Sequence, residues 1–317
     1  MSEFQKVIKY IAIFIAIGLA TFIIGVILSV ILGIGFVTHT INDYNNDTNK
    51  NDDVEIPGFS LFDNSYSQEY SDVDSIDISN GIAKLNVYQS DSDKVKVTAE
   101  NIDSKFQCNY QNNALDISYY KDKQNLKQKN GKAAVINIYV PKTQKLDSIK
   151  IDSSIGDINI LDLNTKDINI SSNIWKIIAQ DITADNSKIS GGVGNINIDG
   201  STLNNLNVDV GVGNVTINGK ITGNSVIDGG VGELSLTIDG SENDYVVTNK
   251  GGMGKLTVNG KEVKSDIIIN KGEISNLPNN DNKLKNKDAS NYYNLSPNSN
   301  KIEVNLGVGN VSIDFKK

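Results

Sequence analysis

Hydrophobic and polar positions follow different rules in different parts of the chain. From Val7 to Val37 the only polar interruptions are Lys9, Thr21 and Ser29, plus the amphipathic Tyr10, and the stretch from Tyr10 to Val37 carries no charge over 28 residues. Roughly 20 apolar residues span a bilayer, so the pattern predicts one transmembrane helix at 10–37, with length to spare for tilt. Lys6 and Lys9 precede it, while Asp43, Asp47, Asp52, Asp53 and Glu55 follow, against Lys50 alone. Basic flanks stay in the cytoplasm, so residues 1–9 read as a cytoplasmic tail and the rest as lying outside the cell membrane. A cleaved signal peptide would have an apolar core of roughly 7–15 residues and a small-x-small exit. This run is longer and leaves through Gly35-Phe36-Val37-Thr38-His39, which favours an uncleaved anchor. Residues 38–72 are polar, acidic and weakly patterned, as in a flexible stalk.

From Val73 the period changes to two. Ser75-Ile-Asp-Ile78, Ala83-Lys-Leu-Asn-Val87, Val95-Lys-Val97, Leu115-Asp-Ile117 and Val135-Ile-Asn-Ile-Tyr-Val140 alternate between apolar and polar, bounded by Gly, Asn and Asp. That is the signature of half-buried strands. Residues 121–132, rich in Lys, Gln and Asn, read as an exposed loop.

A repeat then takes over. Gly192-Val-Gly-Asn-Ile-Asn-Ile198 recurs as Gly211-Val-Gly-Asn-Val-Thr-Ile217, Gly230-Val-Gly-Glu-Leu-Ser-Leu236, Gly252-Met-Gly-Lys-Leu-Thr-Val258 and Gly307-Val-Gly-Asn-Val-Ser-Ile313. Degenerate copies begin at Ser154 and Asn173, so starts at 154, 173, 192, 211 and 230 keep a constant spacing of 19. A second apolar run keeps the same phase at Ile168-Asn-Ile170, Ser187-Lys-Ile189, Leu206-Asn-Val208 and Ser225-Val-Ile227. One such unit cannot bury its own apolar edge, whereas stacked units can. The prediction is an all-β fold: a β-solenoid of about 19-residue coils over 73–317, preceded by the N-terminal transmembrane α-helix.

Equivalent positions should form columns. Positions five (Ile158, Ile177, Ile196, Val215, Leu234, Leu256, Val311) and seven (Ile160, Ala179, Ile198, Ile217, Leu236, Val258, Ile313) share a strand face and are assigned to the interior. Position six, which holds Asn197, Thr216, Ser235 and Thr257, should face water. Glycines one and three suit a tight turn or a close approach of neighbouring coils; Trp175 replaces the second of them in one coil. Asn195, Asn214 and Asn310 at position four invite hydrogen bonding along the axis, and Glu233 and Lys255 should be neighbours in consecutive coils. Residues 270–300, with Pro278 and Pro297, read as a mobile insertion. The final coil should then close the stack, with Asp314, Lys316 and Lys317 charging its exposed end.

Composition narrows the chemistry. There is no arginine among the 30 basic residues, which weighs against phosphate recognition by guanidinium forks. The net charge of -8 argues against nucleic-acid binding. Cys108 has no partner for an intramolecular disulfide, and the sole histidine, His39, lies beside the membrane segment, so the folded domain has no histidine for a zinc site or triad. Gly191-Gly192-Val193-Gly194-Asn195 invites comparison with calcium-binding nonapeptide repeats, but Ile196 stands where the carboxylate ligand belongs and the period is 19. A polysaccharide-cleaving site would need paired carboxylates in a cleft, and no acidic pair recurs with that logic. Trp175, Tyr119, Tyr120, Tyr292 and Tyr293 are candidate sugar-stacking platforms, with ordinary packing as the alternative.

Ile136-Asn-Ile-Tyr-Val-Pro141 through Ile149-Lys-Ile-Asp-Ser-Ser-Ile-Gly-Asp-Ile-Asn-Ile160, followed by glycine-punctuated strands, resembles the bacterial adhesin-like β-strand-repeat family of toast-rack type. The resemblance covers roughly 73–317. It implies a β-solenoid on the outside of a bacterial cell, often membrane-anchored, with no catalytic residues to carry over; some relatives resemble accessory proteins of envelope-stress systems. The expectation is a non-enzymatic surface-binding or scaffold module that needs no cofactor. Its partners would be the membrane and a cell-wall polymer or envelope protein, with contacts at Asn197, Thr216, Ser235, Thr257 and Trp175. The alternatives are an accessory regulator of envelope stress and, third, a polysaccharide-active enzyme.

Overall fold

The structure is a computed structural model and describes residues 65–119, 133–250, 252–264, 267–270, 272–276 and 300–316. The expected membrane helix at 10–37, its flanks, Tyr120, Tyr292 and Tyr293 lie outside the described residues. Among the described residues no helix is long and apolar enough to cross a membrane.

The described protein is all-β. In chain order the strands are β1 (Ser65–Tyr70), β2 (Ser75–Ser90), β3 (Val95–Glu100), β4 (Gln107–Gln111), β5 (Ala114–Tyr119), β6 (Ala134–Pro141), β7 (Leu146–Leu161), β8 (Asn164–Gln180) and β9 (Thr183–Asn204). They continue as β10 (Leu206–Val212), β11 (Val215–Thr222), β12 (Asn224–Val231), β13 (Leu234–Asp239), β14 (Tyr245–Asn249), β15 (Leu256–Val258) and β16 (Lys261–Val263). The last are β17 (Ile267–Asn270), β18 (Glu273–Asn276), β19 (Asn300–Val308) and β20 (Val311–Lys316). All five alternating runs read from the sequence before the repeat lie in strands. β1 falls within the segment read as stalk, where it pairs antiparallel with β3.

Parallel pairing stacks the coils residue on residue. β2 lies on β7, β7 on β8, and β8 on β9, with Ile158 opposite Ile177 and Ile177 opposite Ile196. Ile196 then meets Val215, and Val215 meets Leu234. Position-five and position-seven side chains are all buried, as are Ile149, Ile168, Leu206 and Val208 of the leading strand segment. Each such side chain contributes roughly 1.5–3 kcal/mol by its burial, so these columns hold the stack together. A third buried strip, Leu163 and Ile182 with Thr165, Ala184, Leu203 and Ile221, closes the coil interior. Thr, Ala and Gly dilute that strip, which is why it leaves little trace in the hydropathy pattern. Asp162 and Asp181 turn into it with φ of 55° and 54°; short polar residues tolerate this left-handed conformation.

The final coil does not close the stack. β19 lies between β12 and β14, and β20 between β13 and β15. Residues 300–316 are therefore inserted between the coil that ends near Asp239 and the coil that begins at Tyr245. Asn310 consequently separates Glu233 from Lys255, which are not the neighbours the linear spacing suggested. Hairpins explain the order. Asn259 and Gly260, with φ of 48° and 73°, turn β15 back antiparallel into β16. Likewise β14 pairs antiparallel with β17, and β17 with β18. These antiparallel strands occupy the outer edge of the 245–258 coil and leave only its inner edge for a parallel partner. The opposite end is closed in the same way, by β4 on β5 and by β3 on β6. Antiparallel strands at both ends thus cover the parallel edges of the stack and replace them with short edge strands, which are less open to end-to-end pairing.

Candidate binding surfaces

Four of the five sequence-derived candidates come together. Thr216 is flanked by Asn197 and Ser235, and Ser312 of the inserted coil stands between Ser235 and Thr257. Parallel registry places them in one column on the outward side of the trailing strand segment, beside the position-four column. Asn197 and Thr216 are exposed, and Ser235 and Thr257 are half-buried. Among the described residues, none of these four side chains has a hydrogen-bond partner within the protein. The position-four asparagines bond along the axis, but to backbone rather than to one another. Asn195 Oδ1 accepts from the Asn214 N–H at 3.0 Å, Asn214 Oδ1 from Glu233 at 3.0 Å, and Asn310 Oδ1 from Lys255 at 3.1 Å.

Nearer the N-terminal end the same column is internally satisfied, for Asn86 and Asn159 stand in register with Asn197 through Ile178. Asn159 donates to Asn86 at 2.8 Å, Asn86 to Asn137 at 2.7 Å, and Asn137 to Thr98 at 3.2 Å. On the leading segment Lys150 pairs with Asp77 at 2.9 Å and Lys250 with Glu303 at 2.6 Å. The hydrogen bond to Asp77 holds the Lys150 ammonium above its usual range, and the bond from Lys250 holds Glu303 below the usual carboxylate range. Such exposed pairs contribute little to stability. Asn186 donates to Asp167 at 2.7 Å, and Asn205 to Asn186 at 3.1 Å.

Trp175 is not on the polar column. It is 5% exposed, and its indole lies inward against Gly191 and Gly194 of the next coil. A side chain at Gly191 would collide with the indole Nε1, so the glycine doublet Gly191-Gly192 provides the space that the tryptophan fills. The Nε1 group is buried without a hydrogen-bond partner. Tyr119 is buried as well, its hydroxyl pushed up to about 12 by burial. Cys108, half-buried near the β4–β5 cap, accepts a hydrogen bond from the Tyr70 hydroxyl at 3.2 Å, and burial pushes its thiol up.

The repeat by itself leaves the face of position two open, and there the structure holds an apolar ridge. Ile82, Ile155, Ile174, Val193, Val212, Val231, Val308 and Met253 follow one another in register along the whole stack. Six of the eight are 37–66% exposed, and Val212 and Val231 are half-buried. In the five regular coils, glycines at positions one and three leave the flanks of the ridge without side chains. The signal was present in the sequence as an apolar residue between two glycines. Alternation alone does not tell a corner that points outward from one that points inward.

A family model described as Toastrack DUF4097 matches residues 73–314. No curated protein matches the sequence. Three solved structures whose names carry putative roles are similar to this chain. One is a cell adhesion protein from Clostridium sporogenes, 18% identical, covering 80% of this chain and 99% of its own, with a TM-score of 0.38. A second is an adhesin from Bacteroides fragilis, 16% identical, covering 80% and 97%, with a TM-score of 0.40. A third is a lipid binding protein from Parabacteroides distasonis, 15% identical, covering 80% and 97%, with a TM-score of 0.31.

Proposed function

The chain belongs to the Toastrack DUF4097 family, and from that premise we propose that it is a non-catalytic, membrane-anchored module of the bacterial cell envelope. Its β-solenoid presents the trailing polar face to an envelope polymer or an envelope protein. The observation that carries this reading is a run of unengaged polar side chains on the trailing face. Leading-face amides and charges bond one another along the axis, as do Asn86 and Asn159 on the trailing face, whereas Asn197, Thr216 and Ser235 keep donors and acceptors unused in three consecutive coils, and Thr257 does so beyond Ser312, whose hydroxyl bonds Asp314. A regular row of unengaged hydroxyls and amides suits an extended polar ligand, since each unit of the ligand meets the same chemistry one coil further on. The apolar run at 10–37 and the acidic residues after it support an anchor with this domain outside the membrane.

The test is binding of the full chain, reconstituted in nanodiscs, to isolated cell-wall material. Thr216→Lys with Ser235→Lys should weaken binding by at least about fivefold, the equivalent of one net hydrogen bond. Lys188→Glu on the leading face should leave it unchanged. Equal binding by all three proteins would remove the assignment of this face. Replacing 10–37 with an unrelated membrane span should also preserve binding. Loss of the cellular effect on that exchange, with binding intact, would favour an accessory regulator that acts through its helix.

A further inference from the structure

We propose that the apolar ridge is the contact surface of a homodimer in which two copies lie ridge to ridge and antiparallel. This goes beyond the binding role, which uses a different face. Eight aliphatic side chains in register along one edge make a continuous apolar strip, and a soluble surface rarely leaves such a strip uncovered. At about 4.8 Å per coil, seven steps make it about 34 Å long. Counting its glycine flanks and the first polar column on each side, the strip covers roughly 600 Å² per copy, or about 1,200 Å² in a dimer, the lower bound for specific interfaces.

The occupant follows from charge and size. A two-fold axis between Val193 and Val212 sets Ile174 of one copy against Val231 of the other, and Ile155 against Val308. Isoleucine thus meets valine in these two pairs, Val193 meets Val212 at the centre, and Ile82 meets Met253 at the ends. On the position-four side, the same operation sets Lys176 against Glu233 twice, once for each copy. Asp157 then meets Asn310, and Asn195 meets Asn214. On the opposite flank Asp228 meets Ser171, and Asp209 meets Ser190. Across these rows the one like-charge encounter lies at the ends of the strip, where Lys84 meets Lys255. The parallel alternative brings the two flanks of equivalent coils together, setting Glu233 against Asp228, Asp157 against Asp152 and Lys255 against Lys250. Like charges placed directly opposite are unfavourable, so the surface selects the antiparallel arrangement.

Disulfide trapping in cells tests this with the full chain, carried on two epitope tags. Ile174→Cys on one copy and Val231→Cys on the other should form a mixed disulfide on mild oxidation. Ile174→Cys on both copies should not, because the antiparallel arrangement separates those positions by three coils, about 14 Å. The parent chain, with its half-buried Cys108, sets the background. Lys176→Glu should reduce the mixed product severalfold, and Lys176→Glu with Glu233→Lys should restore it. These positions are exposed or half-buried and touch no core column, so the variants should fold. Four results would each overturn the proposal: no mixed product above background, self-trapping through Ile174→Cys, ridge cysteines captured by a different protein, or protection of those cysteines by lipid alone.

Discussion

A methyl group added at Gly213 would collide with the carbonyl oxygen of Gly194, and one at Gly232 with that of Gly213. Both glycines also have positive φ, 148° and 153°, where a side chain is strained even with free space around it. Position three is thus a point where a side chain would be aimed at the backbone of the neighbouring coil, and any side chain there must push two coils apart. Gly213→Ala should therefore cost at least about 3 kcal/mol in chemical denaturation, combining backbone strain with displacement of the stack. Gly260→Ala is the matched control. It has a positive φ of 73° but nothing near the added Cβ, so it should cost only about 1–2 kcal/mol. Similar losses at the two sites would mean that conformation alone, and not the close approach, explains the glycines.

Among the elements, the strands and the interior columns were legible because burial repeats with the two-residue period and the 19-residue step. Ile196, Val215 and Leu234 lie where those two periods place them, in register and buried. The position of β19 and β20 was not legible, because a spacing records how far apart copies are in the chain and not which copy rests on which. The deciding signals are local. One is the Asn259-Gly260 turn, which folds the 245–258 coil back on itself and closes its outer edge. Another is Gly229, where an added Cβ would stand 2.7 Å from Leu306 Cδ1; the missing side chain makes room for a leucine contributed 77 residues later. Gly229→Ala should destabilise by about 1–3 kcal/mol through overpacking, and Leu306→Ala by about 2–5 kcal/mol. Because the two groups share one space, the double variant should lose less than the sum by at least about 0.5 kcal/mol, read from a denaturation cycle. Strict additivity would mean that Gly229 and Leu306 are not packed together and would contradict the inserted order.

At the scale of the whole molecule, the inserted coil makes the C-terminal end of the stack depend on the last residues of the chain. The 245–258 coil rests on β19 and β20 and has no parallel contact with β12 or β13. Long-range pairing of this kind forms late, since a long segment must be closed before its contacts stabilise anything. A chain ending at Ser299 should therefore lose more than its final coil. Val247, Leu256 and Val258 would face a gap, and hydrogen-exchange protection should disappear across 245–276 while 146–222 remains protected. The competing outcome is specific. The 245–258 coil carries the same apolar columns, so it could move up and stack directly on β12 and β13, bringing Lys255 beside Glu233. Retained protection across 245–258 in the truncated chain would show that the repeat tolerates either order. Loss of protection would show that the hairpins and the Gly229–Leu306 fit enforce the one observed, with the final strands acting as the wedge that holds the cap in place.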